Sequence, residues 1–213
     1  MEPAFWHRRW EAREIGFHEG RPNALLVKHF PALALPRNAR VYVPLCGKTN
    51  DIHWLLASGF RVTGAELSSL AVEELFDELG STPSVSKVGR LKRYSSQGID
   101  IFQGDILEVT RAALGPVDVI YDRAALVALP TPMRDRYAAA LVEQTNTAPQ
   151  LAICFEYDQT LVDGPPFSVP AEEVRRLYGA RYEITLLERV AVAGGLRGHP
   201  ANETAWMLRK RAR

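Results

Sequence analysis

At 213 residues, with 46% hydrophobic and 24% charged residues, the chain has the size and balance of a soluble α/β domain able to bury a sizeable core. A formal net charge of +1 supplies no global field to draw nucleic acid or an anionic membrane. No apolar run approaches the roughly 18 residues of a membrane span, and Met1 to Trp10 lacks a signal-peptide apolar core. The two cysteines, Cys46 and Cys154, sit near the ends of apolar runs, so they read as reduced core thiols of a cytosolic protein.

Residues 1–39 form an aromatic-rich lead-in. Phe5, Trp6 and Trp10 fall at near-helical spacing and are followed by Ile15-Gly16-Phe17-His18. Two readings stand: an amphipathic helix that packs its aromatics on the domain, or a flap whose Trp10 and Phe17 close over a flat aromatic ligand. Leu25 to Phe30 continue as helix, and Pro31 and Pro36 bring the chain to its first strand.

Val41-Tyr42-Val43 reads as a buried strand broken by Pro44 and Gly47, with Asp51 predicted to cap a helix through Ile52, Leu55 and Leu56. Ligands of open α/β sheets sit beside such turns, at the carboxyl ends of the strands. Gly47 stands alone, so the G-x-G-x-x-G of a dinucleotide site is missing. Gly47-Lys48-Thr49 imitates the end of a phosphate-binding loop, but the glycine required five positions earlier is Tyr42. A turn with one glycine and no phosphate cradle suits an adenosyl cofactor without phosphate, such as S-adenosylmethionine.

The second strand, Arg61 to Glu66, ends in a carboxylate placed to accept hydrogen bonds from vicinal ribose hydroxyls, each worth about 1.5–3 kcal/mol when charge-assisted. Ser68 or Ser69 caps the next helix, through Val72, Leu75, Phe76 and Leu79. Residues 80–98, with Pro83, Gly89, Gly98 and the basic Lys87, Arg90, Lys92 and Arg93, read as a long polar loop, either a lid or solvated decoration. One short basic cluster is poor support for nucleic-acid binding.

Ile99 to Gln103 form a third strand, after which Asp105 is placed to accept from an adenine amino group, or to cap a helix, with Ile106 against the ring. The fourth strand, Val117 to Asp122, runs into Arg123-Ala124-Ala125-Leu126, and Asp122 with Arg123 reads as a charge pair at the crevice. A helix over 132–145, a fifth strand over 150–157 and a loop over 158–170 follow. Phe167 of that loop is expected to wall a substrate pocket. A short helix over 171–178 and an antiparallel pair over 182–192 and 204–208 close the chain. The whole predicts one doubly wound domain over 1–213, with 1–39 as its cover.

These residues are recognisable. Phe5-Trp6-His7 with Trp10, Ile15-Gly16-Phe17-His18, Val43-Pro44-Leu45-Cys46-Gly47-Lys48, Gly64-Ala65-Glu66-Leu67-Ser68, Asp122-Arg123-Ala124-Ala125-Leu126 and Tyr157-Asp158 with Gly164-Pro165-Pro166-Phe167 span almost the whole chain. In this order they resemble the thiopurine S-methyltransferase family, its bacterial members in particular. The acidic tip of strand two is generic to methyltransferases, whereas the Val-Pro-Leu-Cys-Gly-Lys turn and the Asp-Arg-Ala-Ala-Leu stretch are specific to this family. Ala65 stands where valine is usual.

The resemblance implies a Rossmann-like, seven-stranded, mostly parallel sheet with a C-terminal antiparallel hairpin. It implies methyl transfer from S-adenosyl-L-methionine to the sulfur of an aromatic or heterocyclic thiol, and bacterial relatives extend this to selenium and tellurium compounds. Cofactor positions carry over to Trp10, Leu45, Gly47, Glu66 and Arg123, with Asp105 and Ile106 at the adenine. Phe17 belongs to the cofactor and substrate cover. Arg197 is the nearest candidate for an arginine of the substrate pocket, although the Gly-rich segment around it departs from the family pattern. The partner expected is a small-molecule thiol, taken up by a monomer.

The expected chemistry is in-line displacement at the sulfonium methyl by a thiolate, with alignment supplying up to about 7–11 kcal/mol of the barrier. Heterocyclic thiols are acidic enough to need no strong base, and Arg123, as the catalytic residue, favours the anionic acceptor through its fixed charge. A nucleic-acid amino-methyltransferase would want an Asn or Asp-Pro-Pro-aromatic motif after strand four, and a cytosine-C5 enzyme a cysteine nucleophile there; neither is present. The rival from another class is a non-catalytic sensor of S-adenosylmethionine or S-adenosylhomocysteine. His7, His18, His29, His53 and His199 have no metal-ligand spacing, so no metal is expected.

Overall fold

A computed structural model of the chain describes residues 3–16 and 18–212. The lead-in forms α1 (Pro3–Glu11) and α2 (Ala24–His29), the latter capped by Asn23, whose side chain accepts from the amides of Leu25 and Leu26. The alternating part follows as β1 (Arg40–Pro44), α3 (Asn50–Ala57), β2 (Arg61–Glu66), α4 (Ser69–Glu78), β3 (Ser84–Val88), β4 (Leu91–Ser96) and β5 (Ile99–Gln103). Next come α5 (Arg111–Leu114), β6 (Val119–Arg123), α6 (Thr131–Gln144), β7 (Gln150–Tyr157), α7 (Ala171–Tyr178), β8 (Tyr182–Ala191) and β9 (Ala201–Lys210).

The described strands make one nine-stranded sheet in the order β3-β4-β5-β2-β1-β6-β7-β9-β8. Its centre, β5-β2-β1-β6-β7, is parallel, and β9 and β8 add antiparallel at one edge. These seven are the strands expected from sequence. The other edge differs: residues 84–96, read as a loop, form the antiparallel hairpin β3-β4, with Gly89 at φ +60 in its turn. All but one of the β3 side chains are exposed, so no apolar run announces the strand. Two side chains of the basic cluster have acidic neighbours: Arg93 donates to Asp100 at 2.8 Å, and Arg90 lies 3.4 Å from Glu108.

Successive strand side chains point to opposite faces, and the core divides accordingly. Tyr42, Ile120 and Ala152 pack with Tyr137 and Leu141 of α6 and with Val174 and Tyr178 of α7. Val41, Val43, Val119 and Tyr121 pack with Leu25 and Leu26 of α2, Ile52 and Leu55 of α3, and Val72 and Leu75 of α4. The same alternation corrects the expected Asp122–Arg123 charge pair. Asp122 enters the first core, where its Oδ2 accepts from the Tyr137 hydroxyl at 2.8 Å, while Arg123 turns to the opposite face. Adjacent strand residues cannot meet.

The caps are also local chemistry. Thr49, not Asp51, caps α3, its hydroxyl accepting from the Asp51 amide at 3.3 Å, and Ser68 caps α4 through the Ala71 amide at 3.3 Å. Among the described residues no helix is long and apolar enough to cross a membrane. Cys46 and Cys154 are both free and buried, and burial pushes both thiols well above their ordinary range.

Candidate active site

A cavity of about 840 Å³ opens at the carboxyl ends of β1, β2, β5 and β6. Its rim starts at the turn after β1, where Leu45 (φ 46) and Gly47 (φ 51) both adopt the left-handed region. For leucine this conformation is costly, and such cost concentrates at ligand sites. Gly47 is needed for space as well: a Cβ there would stand 3.0 Å from Cζ2 of Trp10. The absent side chain lets the Trp10 indole, only 3% exposed, lie directly over the turn.

Glu66 closes the same turn from β2. Its Oε2 accepts from the Gly47 amide at 2.8 Å and its Oε1 from the Ser68 amide at 2.8 Å. Burial raises the carboxyl above its ordinary range, while the Ser68, Gly47 and Leu67 amides oppose the shift. A carboxylate has about four acceptor positions, and two are occupied here. Glu66 lines the cavity on a side chain held in place by backbone.

Asp105 and Ile106 form the next wall. The Asp105 carboxylate accepts from the Leu107 amide at 2.9 Å and so caps a short 3-10 turn, leaving a second oxygen exposed. Ile106 is buried, its carbonyl fixed by Gln144 Nε2 at 2.8 Å.

Arg123 enters from β6 with its side chain 8% exposed and forms an ion pair with Glu19. Burial would lower its pKa, yet the surrounding Tyr121, Glu19, Asp51 and Glu203 more than reverse this, so the guanidinium stays charged. Behind it lies a network that sequence reasoning missed. Tyr121 donates to Asp51 Oδ2 at 2.8 Å, the Asn23 amide donates to Asp51 Oδ1 at 2.7 Å, and Asn23 Nδ2 donates to Glu203 Oε1 at 3.0 Å. Asp51, expected as a helix cap, is 1% exposed and serves as a buried acceptor joining α2, α3 and β6. An acid directly behind a strand-to-helix turn, with Tyr121 two positions before the central-strand tip, was the available signal.

His18 also lines the cavity, and burial, with Lys48 and Arg123 nearby, lowers its pKa against the opposing Glu78 and Glu74. Lys48 itself is spoken for, at 2.6 Å from Glu78 and 3.0 Å from Glu74, which agrees with the failed phosphate-loop reading.

The three substrate candidates fare differently. Phe17 lies outside the described residues. Arg197 reaches the cavity and donates to the carbonyls of Asp163 and Pro165 at 2.8 and 3.0 Å, clamping the 163–166 loop whose Pro165 and Pro166 line the same wall. Phe167 points away, into an adjoining groove, where its ring lies 5.8 Å from the Arg134 guanidinium. The apolar side of the main cavity comes instead from Val127, Leu129, Met133 and Phe155.

A family model described as Thiopurine S-methyltransferase (TPMT) matches residues 1–210. The chain belongs to the thiopurine S-methyltransferase family. Relatives named thiopurine S-methyltransferase include one from Xanthobacter autotrophicus, 60% identical over 99% of this chain and 100% of its own. Another, from Teredinibacter turnerae, is 52% identical over 98% of this chain and 97% of its own. Among solved structures, the chain resembles Burkholderia thailandensis 1,6-didemethyltoxoflavin-N1-methyltransferase with bound 1,6-didemethyltoxoflavin and S-adenosylhomocysteine (TM-score 0.64, 14% identity, covering 98% and 87%). It also resembles magnesium protoporphyrin IX methyltransferase from Synechocystis with bound S-adenosylhomocysteine (TM-score 0.63, 12% identity, covering 98% and 100%). At such identities these two establish the fold alone.

This family member is an S-adenosylmethionine-dependent methyltransferase. Its residues suit that group: a fixed carboxylate at the cavity, a turn without Cβ at its tightest point, and an apolar ledge at Ile106.

Proposed function

We propose that the enzyme methylates the sulfur of aromatic or heterocyclic thiols. The observation that carries this reading is the composition of one cavity: the Glu66 carboxylate at one end, the buried Arg123 guanidinium further along, and Val127, Leu129, Met133 and Phe155 as an apolar wall. An aryl thiolate is a flat apolar body with one anionic atom, and a fixed cation beside an apolar wall complements both features. The names of the full-length relatives support the same acceptor class.

Bound S-adenosylmethionine supplies an electrophilic methyl on a sulfonium. The chain's residues bind and orient. Glu66 would accept hydrogen bonds from the ribose hydroxyls, Trp10 covers the turn at Leu45 and Gly47, and Asp105 and Ile106 would take the adenine edge and face. Arg123 stabilises a thiolate over the thiol by its permanent charge, in a site where low exposure strengthens the interaction. Arg197 holds Pro165 and Pro166 against the acceptor. Neither buried cysteine serves as a nucleophile, because burial keeps both protonated.

Incubation with S-adenosylmethionine and, separately, an aryl thiol, a thiopurine, selenite and tellurite, with products identified by mass spectrometry, tests the reading. S-Methyl products from the first two support it. Methylation of selenite or tellurite alone would move the acceptor to selenium or tellurium.

A further inference from the structure

The Glu19–Arg123 pair has a shape that a purely structural salt bridge does not need. Arg123 is fixed: its backbone is in β6, its side chain is 8% exposed, and Asp51, Tyr121 and Glu203 lie within electrostatic reach. Glu19 is not. Its side chain is 43% exposed, it sits on the irregular segment between α1 and α2, and its backbone is held by Asn50 Nδ2, which donates to its carbonyl at 2.7 Å. Both residues line the cavity. One partner is therefore anchored and the other can swing into solvent at little desolvation cost.

Resting on the thiol-transfer reading above, we propose that Glu19 is a displaceable counter-ion that sets acceptor charge selectivity: an anionic acceptor must replace its carboxylate on Arg123, whereas a neutral acceptor need not. Removal of Glu19 leaves the guanidinium held, because Asp51 and Glu203 still compensate its charge. It frees one donor face for the incoming anion. A residue that merely positioned Arg123 would have the opposite effect, since its loss would weaken every ligand that uses the guanidinium.

The test compares wild type with E19Q, which keeps the size of the side chain and deletes its charge. Michaelis constants are measured for 4-nitrothiophenolate, anionic at neutral pH, and for benzyl mercaptan, protonated there. Affinities of both are measured by calorimetry in the presence of S-adenosylhomocysteine, and thermal melts check the fold. E19Q is expected to lower KM and Kd for the anion by about fivefold and to move those for the neutral thiol far less. N50A, which releases the Glu19 backbone, should shift the anion in the same direction. A raised KM for the anion, or equal shifts for both thiols, overturns the inference. As a control, S-adenosylhomocysteine and 5′-methylthioadenosine are titrated into both proteins; tightening of the first alone would put the donor's carboxylate on Arg123 and overturn the acceptor assignment. Failure of wild type to methylate either thiol contradicts thiol transfer alone, because the calorimetric arm needs no turnover.

Discussion

Glu66 reaches back from the tip of β2 to accept the Gly47 amide at 2.8 Å, tying the turn after β1 to the strand beside it. The carboxylate thereby arrives at the cavity already oriented, so a ligand meets an acceptor whose rotamer entropy is spent at folding. Glu66→Gln should disturb both ends of this arrangement. An amide keeps one acceptor oxygen, and its NH₂ then faces a backbone donor at Gly47 or Ser68. The Kd for S-adenosylhomocysteine, measured by calorimetry, should rise roughly 10- to 100-fold, or about 1.5–3 kcal/mol. Unchanged affinity removes Glu66 from the cofactor site.

The same carboxyl predicts a pH dependence of binding. Burial raises its pKa above 4.5, and a protonated oxygen is a poorer acceptor for ribose hydroxyls. Affinity for S-adenosylhomocysteine should therefore be full at neutral pH and fall on acidification, beginning at a higher pH than an ordinary glutamate would give.

Gly47→Ala places a Cβ 3.0 Å from the Trp10 ring at a backbone angle of φ +51. The strain alone is worth about 1–2 kcal/mol, and the indole must also shift off the turn. Thermal unfolding should show the lost stability, and cofactor affinity should fall with it. A variant that melts like wild type and binds S-adenosylhomocysteine equally well would show that the close approach carries no weight.

Asp122 is fully buried, and burial lifts its carboxyl from 3.8 to about 6, against the Tyr137 hydroxyl, which favours the ionised form. Between these values the folded chain holds a proton that the unfolded chain has lost. The contribution to stability is thus complete below about pH 3.8 and lost as pH rises through about 6, a change on the order of 3 kcal/mol. Urea unfolding of wild type and Asp122→Asn at several pH values should give a stability difference that changes across this window. A constant difference would mean that Asp122 titrates normally.

Tyr121→Phe deletes the donor to Asp51 Oδ2 and leaves a nearly inaccessible carboxylate oxygen short of a partner. Stability in urea should drop by about 1–3 kcal/mol. A neutral result would assign the network behind Arg123 no part in holding β6 to α3.

Much of this molecule is legible in its residues, for physical reasons that vary by element. Arg61–Glu66, Ile99–Gln103 and Gln150–Tyr157 are buried central strands, and their apolar runs have the bounds expected. The β3-β4 hairpin is hard to read because its outer strand is solvated and needs no apolar face; its marks are Val88 and Leu91 flanking Gly89-Arg90, with Val85 paired to Tyr94. Leu45, Gly47, Glu66, Asp105, Ile106 and Arg123 gather in one cavity, since strand tips of a parallel sheet converge there, and Trp10 of α1 covers them. What spacing could not give is pairing across the fold. Asp51 finds Tyr121 and Asn23, and Glu19 finds Arg123, over separations that only the folded sheet resolves. For Phe167 the sequence offers only a loop position, and a loop leaves the direction of a side chain open.

Thiophenol with S-adenosylmethionine, scored for thioanisole by mass spectrometry in wild type and Arg123→Ala, is the most direct measurement. Wild type should form thioanisole and S-adenosylhomocysteine in equal amounts, and Arg123→Ala should lose at least tenfold in rate, ~1.4 kcal/mol or more. No thioanisole from wild type, or equal rates from the two proteins, contradicts thiol methylation at this cavity.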